Sequence, residues 1–340
     1  SNKGLTNRVV YKIMQQLFLE SKGRFVETLS ENLLESQKLI SKSEALFNIH
    51  FPKNQELLAK AEFRLKFEEL FYIQLQLILK NLIHKSKIKG FTFESIGDYF
   101  NTFYTQYLPF ELTNAQKRVL KEIRQDLGSN AQMNRLLQGD VGSGKTIVAF
   151  MSMLMALDNG FQACLMAPTE ILSVQHYNGL YELCKPLNIR ISLLTGSSKT
   201  SERKIIHEKL ENGDLQILVG THALLEDKVQ FKNLGLAVID EQHRFGVAQR
   251  AKLWKKGSPP QSSQIHQKKM EVVGASIPPH ILVMTATPIP RTLAMSVYGD
   301  LEISVIDELP AGRKPIKTVH RYDNNRLKVF KFIKDEIEKG

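Results

Sequence analysis

The feature of the sequence that most constrains its fold is a glycine-rich segment at positions 139–146, which fits the pattern G-x-x-x-x-G-K-[ST] in full. Its members are Gly139, Asp140, Val141, Gly142, Ser143, Gly144, Lys145 and Thr146. An apolar run at 136–138 precedes the segment and a helical apolar run at 147–157 follows it, which is the strand–loop–helix context that the pattern requires. Because glycines let successive backbone N–H groups face one anion, and the helix adds its positive N-terminal end, the segment predicts a site for nucleotide phosphates.

Two side chains of this segment have a predicted chemical role. Lys145 would place its charge on the β- and γ-phosphates, and the Thr146 hydroxyl would bind Mg²⁺. A site of this kind needs an acid on a neighbouring strand, and the apolar run at 236–239 ends in Asp240 and Glu241. We expect Asp240 to hold the Mg²⁺ shell and Glu241 to polarise the attacking water. The alternative is two solvated acids at the end of a strand.

The pattern of apolar residues in the sequence changes near residue 109. Residues 1–108 are poor in glycine and carry apolar residues at helical spacing, which predicts a helical segment with a long helix over 55–85. Beyond it, short β-rich runs alternate with helical stretches, which is typical of an α/β fold with a parallel sheet and helices on both faces. The predicted strands are 135–138, 162–168, 189–195, 215–220, 236–240 and 281–285. We expect one domain over 109–315, and in 316–340 a strand at 316–320 and a helix at 324–338 that begin another.

Composition narrows the class of protein. Lys and Arg number 46 against 35 Asp and Glu, a formal charge of +11, which favours a polyanionic partner such as a nucleic acid. The chain has only two cysteines, Cys164 and Cys184, which excludes a disulfide scaffold and a cysteine-based zinc cluster. No run approaches the roughly 20 apolar residues of a membrane span, and the N-terminus does not resemble a signal peptide. The expectation is therefore a soluble protein of a reducing compartment, with no membrane contact.

Further motifs resemble those of superfamily 2 helicases and occur in the order found in that superfamily. The string Asp240-Glu241-Gln242-His243 is a variant of the DExH box, and the string at 285–293, which begins Thr285-Ala286-Thr287, resembles motif III. Phe110 and Gln116 resemble the adenine-reading element, while 167–176, 195–196 and 220–225 resemble motifs Ia and Ib. The resemblance implies a RecA-like lobe that binds ATP with Mg²⁺. It places Gln242 and His243 in the catalytic set with Lys145 and the two acids, where they could bridge to the other lobe.

Within that superfamily the chain resembles the RecG family of DNA helicases. The strings GDVGSGKT, DEQHRFGV and TATPIPRTLA carry this resemblance, together with the helical segment around 45–70. It implies an ATP-dependent helicase that remodels branched DNA, including stalled replication forks and Holliday junctions, in recombination and repair. It also implies a bacterial, cytoplasmic and nucleoid-associated monomer, with single-strand-binding protein as a further candidate partner.

The same resemblance suggests which residues serve coupling and DNA contact. Motif III implies that Thr285, Ala286 and Thr287 report the state of the γ-phosphate to the DNA side. Candidate contacts to DNA phosphates lie in motifs Ia and Ib and are Thr169, Gln175, Thr195, Gly196, Thr221 and His222. A motor that moves on any sequence needs phosphate contacts more than base contacts, which hydroxyls and backbone N–H groups supply.

The chain departs from the family pattern in three places. The family carries an OB-fold wedge before the helical segment and a second RecA-like lobe with an arginine finger after the first, and neither is recognised here. The sequence therefore predicts a truncated chain with weak or no ATP hydrolysis of its own. The polar stretch 255–279 is longer than the family's usual connection, and it is predicted to be a solvated surface loop, with DNA contact as the alternative.

Two other functions remain open from the sequence. A transcription-repair coupling translocase shares the TATPIPRTL string and would have RNA polymerase as its partner. A non-motor P-loop protein, such as an ATP switch or a scaffold, belongs to a different class and would bind nucleotide without moving on DNA.

Overall fold

The computed structural model describes residues 6–22, 24–241, 256, 277–287, 301–310 and 318–338. Its centre is a seven-stranded sheet in which every pairing is parallel. The strands are β1 (Asn134–Gly139), β2 (Gln162–Met166), β3 (Ile191–Leu194), β4 (Ile217–Gly220), β5 (Leu234–Asp240), β6 (His280–Thr285) and β7 (Glu302–Ile306). Their order across the sheet is β3-β4-β2-β5-β6-β1-β7, so the strand before the glycine-rich segment lies beside β6 and one strand away from β5.

Helices cover both faces of this sheet, as predicted. The helices around it are α6 (Asn114–Leu127), α7 (Lys145–Asp158), α8 (Glu170–Cys184) and α9 (Thr200–Glu211). Alternate strand residues point to opposite faces: Leu236 and Val238 belong to the apolar cluster that includes α6, α7 and α8, whereas Ala237 and Ile239 belong to the cluster that includes α9. Every residue of α7 from 147 to 157 is buried, which explains why its sequence is apolar on all sides.

The prediction missed β7 at the edge of the sheet. Its sequence alternates polar and apolar residues over only five positions, so it lacks the continuous apolar run of the central strands. Tertiary contacts hold it: Arg135 on β1 places Nη2 2.7 Å from Glu302 Oε2 and Nη1 2.7 Å from Ser304 Oγ. The predicted strand at 316–320 is wrong for 318–320, which have no strand structure, and 316 and 317 lie outside the described residues. The predicted helix at 324–338 begins with a single 3₁₀ turn, Asp323–Asn325, and continues as α10 (Arg326–Glu338).

The helical segment precedes the sheet and contains α1 (Asn7–Glu20), α2 (Glu31–Ser36), α3 (Lys42–His50) and α4 (Gln55–Lys87). With 33 residues, α4 is about 50 Å long. Arg64 on α4 is fully buried and ties the segment together. It donates to Ile40 O at 3.1 Å, Glu68 Oε2 at 2.6 Å and Glu27 Oε1 at 2.6 Å. In the described parts of the chain, no helix is long and apolar enough to cross a membrane.

The segment between α4 and α6, which includes α5 (Asp98–Thr102) and a π-helical turn at Phe103–Tyr107, packs against the sheet domain. The Asp158 carboxylate at the end of α7 accepts from the backbone N–H groups of Tyr99 and Phe100, at 2.9 and 3.1 Å. His280 on β6 contacts Phe91 O through Nε2 at 2.6 Å and accepts from Met133 N through Nδ1 at 2.9 Å. The bonds of Tyr99, Phe100 and Phe91 fix the connecting segment to the edge of the sheet where the strands begin. The glycine-rich loop lies at the opposite edge.

Two further sequence expectations concern single residues. Cys164 and Cys184 are buried free thiols, and burial raises the pKa of each to about 12, which fits their predicted place in the core. Lys256 belongs to the stretch 255–279 but is not solvated, since its Nζ donates to Glu226 O at 2.7 Å and Val229 O at 2.6 Å. Apart from Lys256 and 277–279, that stretch lies outside the described residues.

Candidate nucleotide-binding site

The glycine-rich loop connects the end of β1 to the start of α7, as its pattern predicts. Gly142 and Gly144 have φ values of +77° and +86°, in the left-handed region that favours glycine. A Cβ atom on Gly144 would also lie 2.3 Å from Gln116 Nε2, and one on Gly139 would lie 2.5 Å from Ser143 Oγ. The left-handed conformation therefore requires glycine at 144, and the N-terminal end of α7, which follows the loop directly, can bind an anion.

Lys145 is the first residue of α7 and its side chain folds back over the loop. Its Nζ donates to Gly139 O at 2.7 Å and to Asp140 O at 2.9 Å. Burial lowers the pKa of Lys145, while the negative charges of Asp240, Glu241 and Asp140 act in the opposite direction. The two carbonyl bonds keep the ammonium inside the loop, where the phosphates of a bound nucleotide would replace them as its partners.

The predicted acids lie at the carboxyl end of β5, and Asp240 and Glu241 both act electrostatically on Lys145. Asp240 Oδ2 lies 2.7 Å from His176 Nε2, on α8. Glu241 has a φ of +51°, and its N–H donates to Met284 O at 3.0 Å. The acids thus face the phosphate loop across β6, where Mg²⁺ and the attacking water are expected.

Motif III meets the acids at this point. Glu241 Oε1 accepts from the backbone N–H of Ala286 at 3.2 Å, and Thr285 Oγ1 accepts from Thr287 N at 3.2 Å. The structure therefore brings Lys145, Asp240, Glu241 and the segment 285–287 together. Gln242 and His243 lie outside the described residues.

Gln116 and Phe110 lie on the other side of the loop. Gln116 is fully buried and belongs to the capping box of α6, where its Oε1 accepts from Thr113 N at 2.9 Å. Its Nε2 donates to Ser143 O at 2.8 Å, so both polar atoms of the side chain have protein partners. Phe110 is 37% exposed and is open to a ligand. Gln116 thus holds the phosphate loop in this structure, and its role in reading adenine stays a prediction.

The DNA-contact candidates lie where β2, β3 and β4 end, at the same edge of the sheet as the phosphate loop. Thr169 caps α8 by accepting from Leu172 N at 3.3 Å, and Gln175 is exposed on that helix. Thr195 is buried and donates to Glu170 Oε1 at 3.0 Å. Gly196 and His222 are exposed, whereas Thr221 is buried and caps the 3₁₀ turn His222–Leu225. Their contact with DNA stays a prediction.

The sequence analysis assigned no role to three residues that organise this edge. His176 contacts Asp240, and Glu170 accepts hydrogen bonds from Thr195 and from the Ser197 hydroxyl. Arg203 on α9 donates to Thr195 O at 2.7 Å, Gly196 O at 3.3 Å and Ser198 O at 3.2 Å. No spacing rule points to these contacts, because each joins residues from different elements.

The donors at this site fit Mg²⁺ held with a nucleotide. Asp240 and Thr146 offer hard oxygen ligands, and among the described residues no three His, Cys, Asp or Glu side chains form a metal cluster. Mg²⁺ is usually held by one or two protein oxygens together with waters and substrate phosphates, so a dedicated protein cage is not needed.

A parallel sheet with this loop, these acids and their contact to motif III defines a P-loop helicase lobe. Residues 113–296, more than half of the chain, match the model of the DEAD/DEAH box helicase family. The chain belongs to that family, which uses ATP.

Among its relatives, the chain is similar to the ATP-dependent DNA helicase RecG of two bacteria. It is 44% identical to the protein of Synechocystis sp. over 99% of this chain and 38% of the relative, and 42% identical to that of Thermotoga maritima over 99% and 41%. Among solved structures, RecG bound to a three-way DNA junction matches with a TM-score of 0.72 and 38% identity, over 99% of this chain and 43% of that one. The resemblance to RecG is confirmed, and the chain spans about two fifths of the length of these relatives.

Proposed function

We propose that this chain carries the ATP-binding lobe and helical connector of an ATP-dependent DNA helicase that remodels branched DNA. The observation that carries the proposal is the convergence of Lys145, Asp240 and Glu241 on one side of the phosphate loop, with Glu241 bonded to Ala286. Under this proposal 1–108 are the helical connector, 109–315 the first motor lobe, and 316–340 the linker and start of the second lobe. The similarity to a RecG that binds a three-way junction supports branched DNA as the substrate.

The chemistry follows from the positions of the side chains. The N–H groups at the start of α7 and the Lys145 ammonium bind the phosphates, and Thr146 and Asp240 would hold Mg²⁺, which neutralises phosphate charge when bound. Glu241 orients the attacking water and accepts its proton at a carboxylate oxygen. Glu241 also accepts a hydrogen bond from Ala286 N. When the γ-phosphate and the water beside Glu241 are lost after hydrolysis, this hydrogen bond to motif III would therefore change.

The same arrangement explains why hydrolysis would be coupled to DNA. Motif III follows β6, while α8 and the turns after β3 and β4 carry the proposed phosphate contacts. Motif III, α8 and these turns all lie at the carboxyl edge of one sheet. Hydrolysis of the nucleotide would therefore act on the proposed DNA contacts through residues that lie close together. Movement itself requires a second lobe that closes on the nucleotide.

The test measures ATP turnover by a form of the protein that matches its relatives in length. Turnover is compared with a model fork, with linear duplex and without DNA, beside a Lys145→Ala control. We expect strong stimulation by the fork that the control lacks. Equal stimulation by linear duplex would favour a general duplex translocase, as in transcription-repair coupling, and no stimulation by either DNA would favour an ATP switch.

A further inference from the structure

One contact at the nucleotide site joins the end of β5 to α8, the helix that carries proposed DNA contacts. His176 lies on α8, and its Nε2 is 2.7 Å from Asp240 Oδ2 at the end of β5. Both side chains are only 13% exposed, so solvent competes weakly for this bond. A carboxylate only accepts hydrogen bonds, and therefore the His176 Nε2 carries the proton that it donates.

The helix α8 presents His176 to the sheet by its register. Ser173 and Leu180, three residues before and four residues after His176, are buried on the same side of the helix, while Gln175 and Asn178 are exposed. Thr169 caps the N-terminus of α8, and Ser173 Oγ donates back to Thr169 O at 2.9 Å. One rigid element thus carries both the Asp240 contact and the predicted DNA contacts Thr169 and Gln175.

A carboxylate that binds a metal through one oxygen binds more tightly when a hydrogen bond fixes its other oxygen. Without that bond the side chain rotates freely and loses conformational entropy when the metal binds. Among the residues that the structure describes, His176 is the side chain that forms a hydrogen bond with the Asp240 carboxylate. The bond leaves Oδ1 for Mg²⁺ while it holds Oδ2.

We propose that His176 is a positioning residue for nucleotide-bound Mg²⁺: it orients Asp240 and links that carboxylate to the helix that faces DNA. This inference rests on the proposed function, since it assumes that Asp240 serves Mg²⁺. It goes beyond that function by assigning to a residue of α8 an effect on magnesium affinity that acts through Asp240.

The experiment titrates Mg²⁺ against binding of a fluorescent ADP analogue to the 340-residue chain. Affinity is measured in EDTA and over a range of free Mg²⁺ for the unchanged chain, His176→Ala, His176→Gln and Asn178→Ala. Glutamine is the conservative variant, since its amide N–H reaches about as far as Nε2 and donates the same bond. Asn178→Ala is the matched control, because Asn178 is exposed on the same helix.

We expect all four proteins to bind the analogue equally in EDTA. His176→Ala should need about tenfold more Mg²⁺ to reach the tight-binding state, which corresponds to loss of about one hydrogen bond to a charged group. His176→Gln should stay within threefold of the unchanged chain, and Asn178→Ala should match it. Hydrogen exchange should show that Mg²⁺ with the analogue protects α8 in the unchanged chain and not in His176→Ala.

Three results would overturn the inference. An unchanged Mg²⁺ midpoint in His176→Ala would show that Asp240 needs no orientation. Weaker binding in EDTA, with no rescue by glutamine, would show that His176 supports the fold only. If the unchanged chain binds the analogue with no response to Mg²⁺, or fails to bind it, the proposed function fails as well, so the two failures are distinguishable.

Discussion

The carboxylate of Glu241 accepts a hydrogen bond of 3.2 Å from the backbone N–H of Ala286. Glu241 reaches this position because its backbone has a φ of +51°, an unusual conformation for a residue other than glycine. The bond joins the predicted catalytic acid to motif III without an intervening side chain. Such local strain is commonly found at functional sites, where surrounding contacts hold it.

Glu241→Gln should separate binding from turnover. The amide keeps an oxygen that accepts from Ala286 N, but it no longer takes a proton from water, so nucleotide affinity should stay within about threefold while turnover falls by about 100-fold or more. The measurement is ATP turnover by a length-matched form, beside binding of the fluorescent ADP analogue. Glu182→Gln, at an exposed position on α8, is the control. Equal loss of binding and turnover would instead mean that Glu241 is structural.

Lys145→Ala should weaken nucleotide binding by about 10- to 100-fold, the effect of removing charge-assisted hydrogen bonds to phosphate. The loop should stay folded, since among the described residues the Lys145 ammonium bonds to carbonyl oxygens at the start of the loop. Binding of the analogue to the 340-residue chain checks this, with Lys121→Ala, at an exposed position on α6, as the control. Unchanged affinity would exclude the loop as the phosphate site.

His280 should make stability fall with acid. Burial lowers the pKa of His280 from its ordinary 6.5 to about 4, against the opposing effect of its bond to Phe91 O. Between pH 6.5 and about pH 4, His280 is protonated in the unfolded chain and neutral in the folded chain. The free energy of unfolding should therefore decrease by about 3 kcal/mol as the pH falls through that interval. Urea unfolding at several pH values measures it, and His280→Gln should show a flatter profile. Identical profiles would refute this origin of the acid sensitivity.

The ion pairs of Arg64 with Glu27 and Glu68 should contribute most to the stability of the helical segment. Arg64→Ala removes a fully buried guanidinium that three groups use, so we expect a loss of about 3–5 kcal/mol in the free energy of unfolding. Lys60→Ala removes an exposed pair with Glu56 on the same helix and should leave the free energy of unfolding almost unchanged. Urea unfolding compares the two. Similar losses would mean that burial of Arg64 adds nothing.

Glu170 should oppose DNA binding by its charge. Hydrogen bonds from Ser197 and Thr195 lower the pKa of Glu170, which keeps a negative charge among the proposed phosphate contacts. Glu170→Gln keeps an accepting oxygen for both hydroxyls but removes the charge, so affinity for DNA should rise several-fold at low salt and the gain should shrink at high salt. Fluorescence anisotropy with a labelled fork measures it, with Glu182→Gln as the control. A loss of affinity would show that the charge itself orders the turn.

The sequence predicted the parts of this protein that depend on neighbouring residues. The pattern at 139–146 predicted its loop because glycine conformation and the helix N-terminus are local properties, and the apolar runs predicted six of the seven described strands. Asp240 and Glu241 were predicted because a phosphate loop needs an acid on a neighbouring strand. The acids do end a strand of the same sheet, but the expectation of a directly neighbouring strand was wrong, since β6 lies between β1 and β5.

The tertiary structure alone decided which distant groups meet. β7 pairs at the sheet edge with the help of Arg135, Gln116 turns its amide to the phosphate loop, and His176 reaches Asp240 from another helix. Each contact joins residues from separate elements through side-chain atoms, and the direction of a side chain depends on how those elements pack. Sequence spacing carries no information on that packing, so the loop could be predicted and the bonds that orient its partners could not.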